Sequence, residues 1–419
     1  MKDTSMAPQS QAHGAGVQRK AGAVASARDA LLLRAAQRAL QGLEGAAVRV
    51  SGPSGCSAVL GRGPEVANIR LHSLRPLWRA ARKGGIGFAE SYIDGDVETA
   101  DLAGLMRFFA ENFDQIADAG RGLFQVRSAD KGWHRARANT RAGSKANIRA
   151  HYDLGNAFYK LWLDPGMTYS SGLYASAGQH LEAAQDAKYA RVLEALQLGP
   201  GTSLLEIGCG WGGMAERVAR AGAHVTAVTV SAEQLAYTRE RMEQHKLQTR
   251  AEIAFTDYRD VTGQYDRVVS IEMIEAVGEE NWPCYFDALY SRLKLGGCAV
   301  VQAITIREQD FALYRSRPDF IQRHIFPGGM LPTVSILQKM SERAGLQFET
   351  VERFGPSYAL TLRDWRSRFQ AAWPSIAALG FDQSFKRKWE YYLTYCEVGF
   401  EQGFTDVGIY RMVKKGPSQ

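Results

Sequence analysis

The sequence predicts an α/β protein in which a doubly wound, Rossmann-like sheet follows a small α+β domain. Three observations carry this expectation. From Ala187 onward, apolar runs of strand length alternate with stretches of helical period, as a parallel sheet with crossover helices requires. A glycine-dense turn, Gly208 to Gly213, stands between the first of these strands and the helix after it. Between residues 28 and 112, short alternating runs separated by glycines sit among short helical patterns. With 419 residues the chain exceeds one ordinary core, and its 45% hydrophobic content is enough to fill two.

The elements follow in order. Residues 1–27 are rich in Ala, Gly, Ser and Gln, bury too little to offset the entropy of ordering, and are expected to be a disordered tail. Residues 28–120 form the small domain: a helix from Arg28 to about Leu43, strand-like runs at Ala47–Val50, Ser57–Leu60 and Ala67–Leu71, a helix at Leu74–Lys83, and a last helix near Leu102–Asn112. Between Arg121 and Arg149 eight basic residues face the single acid Asp130 with almost no apolar periodicity, so residues 121–146 read as a basic linker. It serves either as a solvated connector or as a contact for anionic lipid headgroups, at about 1 kcal/mol per basic residue near such a surface. Residues 147–419 then hold the larger domain. Its strands are expected at Leu204, Val225, Ala251, Tyr265–Ile271, Gly297–Ile304 and, late in the chain, Gly408–Lys414.

Composition narrows the class. No apolar run approaches the roughly 20 residues of a membrane span, and the polar start lacks the apolar core of a signal peptide, so a cytoplasmic protein is expected. Cys56, Cys209, Cys284, Cys298 and Cys396 are scattered, with no Cys-x-x-Cys pair, which favours reduced thiols over a disulfide framework or a metal site. The net charge of +7 suits an anionic partner. Nucleic acid is not expected, because the basic residues cluster in a linker without a recognition module.

The run Leu204, Leu205, Glu206, Ile207, Gly208, Cys209, Gly210, Trp211, Gly212 gives a buried strand, a terminal acid and glycines that let backbone approach a ligand at a helix start. A dinucleotide loop would place an acid about 20 residues on, at the end of the next strand, to hold a ribose hydroxyl. Here that strand, His224–Val230, ends in Thr229 with no carboxylate, so the loop reads as one for S-adenosylmethionine. Ahead of it, Asn147–Asn156 and Leu163–Tyr174 mix aromatic and hydroxyl side chains too irregularly for core helices and read as a lid. Behind it, Thr229–Gln234 and Asp257–Arg259 close the second and third strands, and Glu272 and Glu275 follow the fourth.

Seven segments in order, His151–Asn156, Tyr169–Ser170, Glu206–Gly212, Val228–Gln234, Asp257–Asp260, Phe326–Pro332 and Phe354–Tyr358, resemble the cyclopropane-fatty-acyl-phospholipid synthases, including the mycolic acid cyclopropane synthases. Ile86–Asp96 resembles the end of the lipid-associated domain that precedes catalysis in the bacterial enzymes. The resemblance implies a class I S-adenosylmethionine-dependent methyltransferase sheet and attack of a cis double bond in a phospholipid acyl chain on the methyl group. It assigns the methyl donor to Tyr169, Ser170, Leu204–Gly212, Thr229, Val230, Ser231, Ala232, Glu233, Gln234, Tyr258 and Arg259. Gln234 then stands in for the missing acid, since an amide can bond ribose hydroxyls.

The resemblance also implies a bicarbonate ion as general base, held at the positions that read Glu275, Gln302, Tyr358, Ser171 and Ile304 here. It further marks Cys396 as an active cysteine, against the plainer reading of a buried thiol on an aromatic helix. Two positions depart from the family pattern: Gln302 replaces a His and Ser171 a Cys. A neutral Gln bonds an anion but relays no proton, so deprotonation at a neighbouring carbon, giving a methylene branch, stands beside ring closure. Of Glu272 and Glu275, the motif favours Glu275 as functional and leaves Glu272 as an exposed or capped acid. A peripheral position on the inner face of the cell membrane, a homodimer, and a reductase partner for a methyl-branched product complete these expectations.

Overall fold

The computed structural model describes residues 27–120 and 154–416, with the side chains of residues 117–120 excepted. The expected tail, the basic linker 121–146 and the start of the lid, including His151, Tyr152 and Asp153, lie outside the described residues. The chain divides into two compact units, residues 1–125 and 126–419.

In the first unit a helix over residues 27–39 precedes β1 (Ala47–Ser51), β2 (Ser57–Leu60), β3 (Glu65–Leu71) and β4 (Val97–Thr99), which form a sheet in the order β2-β1-β3-β4. β1 and β3 run parallel, and the two edges are antiparallel. Along β3, Ala67, Ile69 and Leu71 are buried and the residues between them exposed, the period of two that the sequence shows. β4 has three residues, too few for any pattern to declare it. The helix Leu102–Glu111 begins where Asp101 accepts a hydrogen bond from the Gly104 amide, and it buries Leu105, Met106 and Phe108.

The second unit is the doubly wound domain. β5 (Ser203–Ile207), β6 (His224–Thr229), β7 (Ala251–Phe255), β8 (Tyr265–Ile271), β9 (Leu293–Ile306), β10 (Gln347–Arg353) and β11 (Thr405–Val413) lie in the order β10-β11-β9-β8-β5-β6-β7. β5 to β9 are parallel, and β11 inserts antiparallel between β9 and β10. The chain steps from β5 outward to β6 and β7, then returns to β8 on the other side. That switch opens a crevice above the carboxyl ends of β5 and β8.

Two features were not legible beforehand. β10, with the sequence Gln-Phe-Glu-Thr-Val-Glu-Arg, is an edge strand of polar composition without a buried run. The helices Gly355–Ala371 and Gln383–Glu401 pack on one another beside the crevice, and the second carries the aromatic stripe. Trp389, Tyr391, Tyr392 and Phe400 from that stripe are all buried. Among the described residues no helix is long and apolar enough to cross a membrane.

Candidate functional site

The crevice is lined from β5, the loop after it, the ends of β6, β7 and β8, and the segment Met167–Ser170. Gly208, Gly210 and Gly212 have φ of 82°, 51° and 82°, so the loop needs residues free to enter the left-handed region. A Cβ on Gly212 would stand 2.6 Å from Thr238 Cγ2, and this close approach sets the helix Gly213–Arg220 against the next one. The loop is held from outside. The Gly208 and Cys209 amides both donate to the Val228 carbonyl, the Thr238 hydroxyl donates to the Gly210 carbonyl, and Trp211 Nε1 donates to Asn156 Oδ1 at 2.7 Å. Asn156, the last residue of the first lid segment, thus touches the loop directly.

Among the described residues, two buried polar atoms of the residues lining this crevice have no protein hydrogen-bond partner. Glu206 is 3% exposed, its Oε2 has no hydrogen bond, and burial pushes its carboxyl up to about 8. The Tyr258 hydroxyl is likewise buried and unpartnered. Gln234 accepts from the Thr229 hydroxyl through Oε1 at 2.9 Å, which orients the amide so that its Nε2 is the end turned away from that bond. Arg259 forks onto Asp257 at 2.7 and 2.8 Å, closing the end of β7.

Most of the residues assigned to the cofactor therefore line one cavity: Tyr169, Ser170, Glu206 to Trp211, Thr229, Val230, Gln234, Tyr258 and Arg259. Five of the assigned side chains do not face it, and Gly212 has none to offer. Leu204 and Leu205 are strand residues with no exposure, packed in the sheet. Ser231 accepts from the Gln234 amide as the cap of the helix Ala232–Gln244, and Ala232 and Glu233 are exposed on its first turn. Gly212 acts through backbone conformation. Thr168, Asp257 and Met273 also line the cavity, although they were not among the residues assigned to the cofactor.

Beside the crevice the hydrogen bonds gather on Glu272, which lines it, rather than on Glu275. Glu272 is neither solvent-facing nor a cap. Its Oε1 accepts from the Ser171 amide at 2.9 Å and from Gln302 Nε2 at 2.8 Å, and its Oε2 accepts from the Tyr358 hydroxyl at 2.7 Å. Burial raises its pKa, while Tyr358, the Ser171 amide, Lys188 and Gln302 pull it back. Glu275 accepts from the Ile304 amide on Oε1 at 2.5 Å; among the described residues its buried Oε2 has no hydrogen-bond partner, and burial, then the charge of Glu272, pushes it up to about 8. The five positions expected to share one anion are thus split: Ser171, Gln302 and Tyr358 serve Glu272, and Ile304 serves Glu275. Ser171 contributes its amide, its hydroxyl being turned to the Gly172 carbonyl.

Lys188, also missed by motif, is fully buried with its ammonium on Ser170 Oγ at 2.7 Å, and burial lowers its pKa to about 7. Burial first, and the charge of Asp319 second, raise the Cys396 thiol well beyond the ordinary range, the opposite of what a thiolate nucleophile needs.

Aromatic rings wall the same region. Tyr169 and Tyr392 share a hydroxyl–hydroxyl bond of 2.9 Å, the Tyr169 ring lies 5.2 Å from Trp365, and Tyr358 stacks on Phe400 at 4.4 Å. Tyr174 is tied away by donating to Asp364 at 2.7 Å, and the Gly172 amide donates to Thr361. The second lid segment is therefore fastened to the helix Gly355–Ala371.

Known proteins resemble this chain over most of its length. The family model for mycolic acid cyclopropane synthetase matches residues 139–409. Tuberculostearic acid methyltransferase UfaA1 of Mycobacterium tuberculosis is 38% identical over 364 residues, which cover 84% of this chain and 85% of that protein. Cyclopropane-fatty-acyl-phospholipid synthase of Escherichia coli is 35% identical over 367 residues, covering 85% of this chain and 89% of its own length. Among solved structures, mycolic acid cyclopropane synthase CmaA1 complexed with SAH and CTAB is 30% identical with a TM-score of 0.59, covering 64% of this chain and 98% of that one.

Proposed function

The chain belongs to the mycolic acid cyclopropane synthetase family of S-adenosylmethionine-dependent lipid methyltransferases, and we propose that its acceptor is the cis double bond of an unsaturated acyl chain in a membrane phospholipid, with a cyclopropane fatty acid as product. One observation carries this reading. The glycine-loop cavity and the aromatic-walled carboxylate share a single crevice, so a methyl group delivered by the loop meets π faces and a base rather than an amine-binding site.

The residues fit the methyl donor. The glycine loop admits backbone approach, Glu206 has an unpartnered buried carboxylate oxygen suited to a cation, and Gln234 offers an amide for ribose hydroxyls. Once bound, S-adenosylmethionine supplies an electrophilic methyl that the alkene π pair takes, the carbon–sulfur pair leaving with the thioether and a cation remaining on the acyl chain. The protein's part is to protect that cation. The rings of Tyr169, Trp365 and Tyr358 offer about 0.5 to 2 kcal/mol each to a positive charge, and the buried wall they form excludes water that would trap it.

A second product has its own support. The relative that is 38% identical is named a tuberculostearic acid methyltransferase, which favours a 1,2-hydride shift that moves the cation to the methyl-bearing carbon, proton loss from the added methyl to give a methylene branch, and reduction by a partner enzyme. Peripheral docking on an anionic inner membrane face supplies the substrate in either case. The helix Arg75–Lys83 supports this: Trp78 is 67% exposed with Arg82 over its ring at 5.7 Å, the pattern of an interfacial anchor. A homodimer is proposed on family grounds alone.

Incubation with S-adenosylmethionine and vesicles of monounsaturated phospholipid, followed by fatty-acid analysis, tests all of this. A ring gains fourteen mass units without a double bond, whereas a methylene branch keeps one. Methylation of soluble amines with no change in lipid would end the lipid reading.

A further inference from the structure

Three of the four donor positions that the family resemblance assigns to bicarbonate are already satisfied by this chain's own Glu272 carboxylate. Glu272 is the first residue after β8, with its amide on the Gln302 carbonyl at 2.8 Å and φ of 50°, a left-handed conformation unusual for a residue with a side chain. That strained backbone turns the carboxylate to where the Ser171 amide, the Gln302 amide and the Tyr358 hydroxyl converge at 2.7 to 2.9 Å. The donors come from the lid, from β9 and from the helix Gly355–Ala371. A planar carboxylate and a bicarbonate ion ask for the same donors, and one set cannot serve both. Bicarbonate does not fit while Glu272 holds this position.

We propose that Glu272 is the general base of this enzyme, a built-in carboxylate that replaces a bound bicarbonate. The inference rests on methyl transfer to an acyl double bond as argued above. After the new carbon–carbon bond has formed and the cation stands on the adjacent chain carbon, a Glu272 oxygen takes one proton from the added methyl. The freed carbon–hydrogen pair closes on the cation to make the third ring bond, and Glu272 is left as a neutral carboxylic acid that returns its proton to solvent. If a 1,2-hydride shift first moves the cation onto the methyl-bearing carbon, loss of the same methyl proton to Glu272 leaves a methylene branch instead. No oxidant or second ion is needed.

Two neighbours suit this role. Gln302 donates to Glu272 in every protonation state of the site, whereas a His there would titrate. With one amide donor to Glu275 and three donors to Glu272 among the described residues, the geometry favours placing the shared negative charge on Glu272.

The test uses the full chain, S-adenosylmethionine and vesicles of dioleoylphosphatidylglycerol with dioleoylphosphatidylethanolamine, in buffer stripped of carbon dioxide or supplemented with bicarbonate. Wild-type turnover should be the same in both. Glu272→Gln should lose about 100-fold or more in turnover while keeping its melting temperature and its affinity for S-adenosylhomocysteine. Glu272→Gly removes the carboxylate and relieves the left-handed backbone; it should be silent in stripped buffer and regain turnover with added bicarbonate. Binding of ¹³C-bicarbonate, read by NMR line broadening, should occur with Glu272→Gly and not with wild type. Dependence of the wild type on bicarbonate, bicarbonate binding to it, or a Glu272→Gln variant that still turns over would each overturn the assignment. The binding experiment needs no lipid product. Absence of any lipid product in wild type would therefore refute the acceptor and leave the occupancy of the anion cradle to be decided by NMR.

Discussion

Removing one oxygen atom, in Tyr358→Phe, should move the pH at which the enzyme begins to work. The Tyr358 hydroxyl donates to Glu272 at 2.7 Å and favours the ionised carboxylate, so its loss raises the Glu272 pKa. A hydrogen bond to a charged group contributes about 1.5 to 3 kcal/mol, and one pKa unit is about 1.4 kcal/mol, which gives a rise of about 1 to 2 units. Because the base works only when ionised, the acid limb of turnover should shift to higher pH by that amount. Turnover should return toward the wild-type value well above the new limb. The ring remains to stack on Phe400, so folding and methyl-donor affinity should change little. The assay is the initial rate of label transfer from S-adenosylmethionine into lipid, taken across acid and alkaline buffers. An unmoved acid limb, or a loss of equal size at every pH, would show that Tyr358 does not act through Glu272.

Other perturbations separate cofactor, backbone and thiol roles. Gln234→Ala removes the amide offered to the ribose and should raise KM for S-adenosylmethionine by up to about tenfold with kcat nearly unchanged; a fall in kcat alone would argue against a binding role. Gly212→Ala forces a Cβ to 2.6 Å from Thr238 at φ of 82° and should cost about 1 to 3 kcal/mol. Gly210→Ala, at φ of 51° with open space around it, should cost only about 1 to 2 kcal/mol; a larger loss of melting temperature for Gly210→Ala than for Gly212→Ala would contradict the packing described. Cys396→Ala should keep turnover within a few-fold of wild type, and a collapse of activity in a folded variant would return the thiol to the chemistry. Glu206 holds its proton to about 8 in the folded chain against 4.5 otherwise, so without ligand its contribution to stability falls as pH rises between those values. Glu206→Gln should therefore melt higher than wild type above that window and alike below it, with weaker methyl-donor binding throughout.

How much was legible depended on whether the cause was local. β3 and β5 to β9 declare themselves because each buries a contiguous or alternating apolar run. β10 does not, because an edge strand has a polar exposed face, and β11 was expected three residues late because Thr405 and Asp406 are polar and Val407 stands alone ahead of Gly408. The cofactor cavity was legible through its glycines, whose spacing reflects backbone conformation at adjacent positions. Ser231, Ala232 and Glu233 were carried along by the same motif although they build the helix start rather than face the ligand. Which of the two glutamates gathers the donors was not legible for the opposite reason, since nothing within several residues of either tells which one is hydrogen-bonded.

Sequence alone was enough for the doubly wound sheet, the glycine loop and the family, because strand period, left-handed turns and motif order are written over short stretches. Only the tertiary structure decided which acid is the candidate base. The donors to Glu272 lie 101, 30 and 86 residues away, and they reach one carboxylate because the lid, β9 and the helix Gly355–Ala371 converge over the carboxyl end of β8. A charge taken from water needs such donors to stay ionised, and which side chain receives them is a property of that convergence.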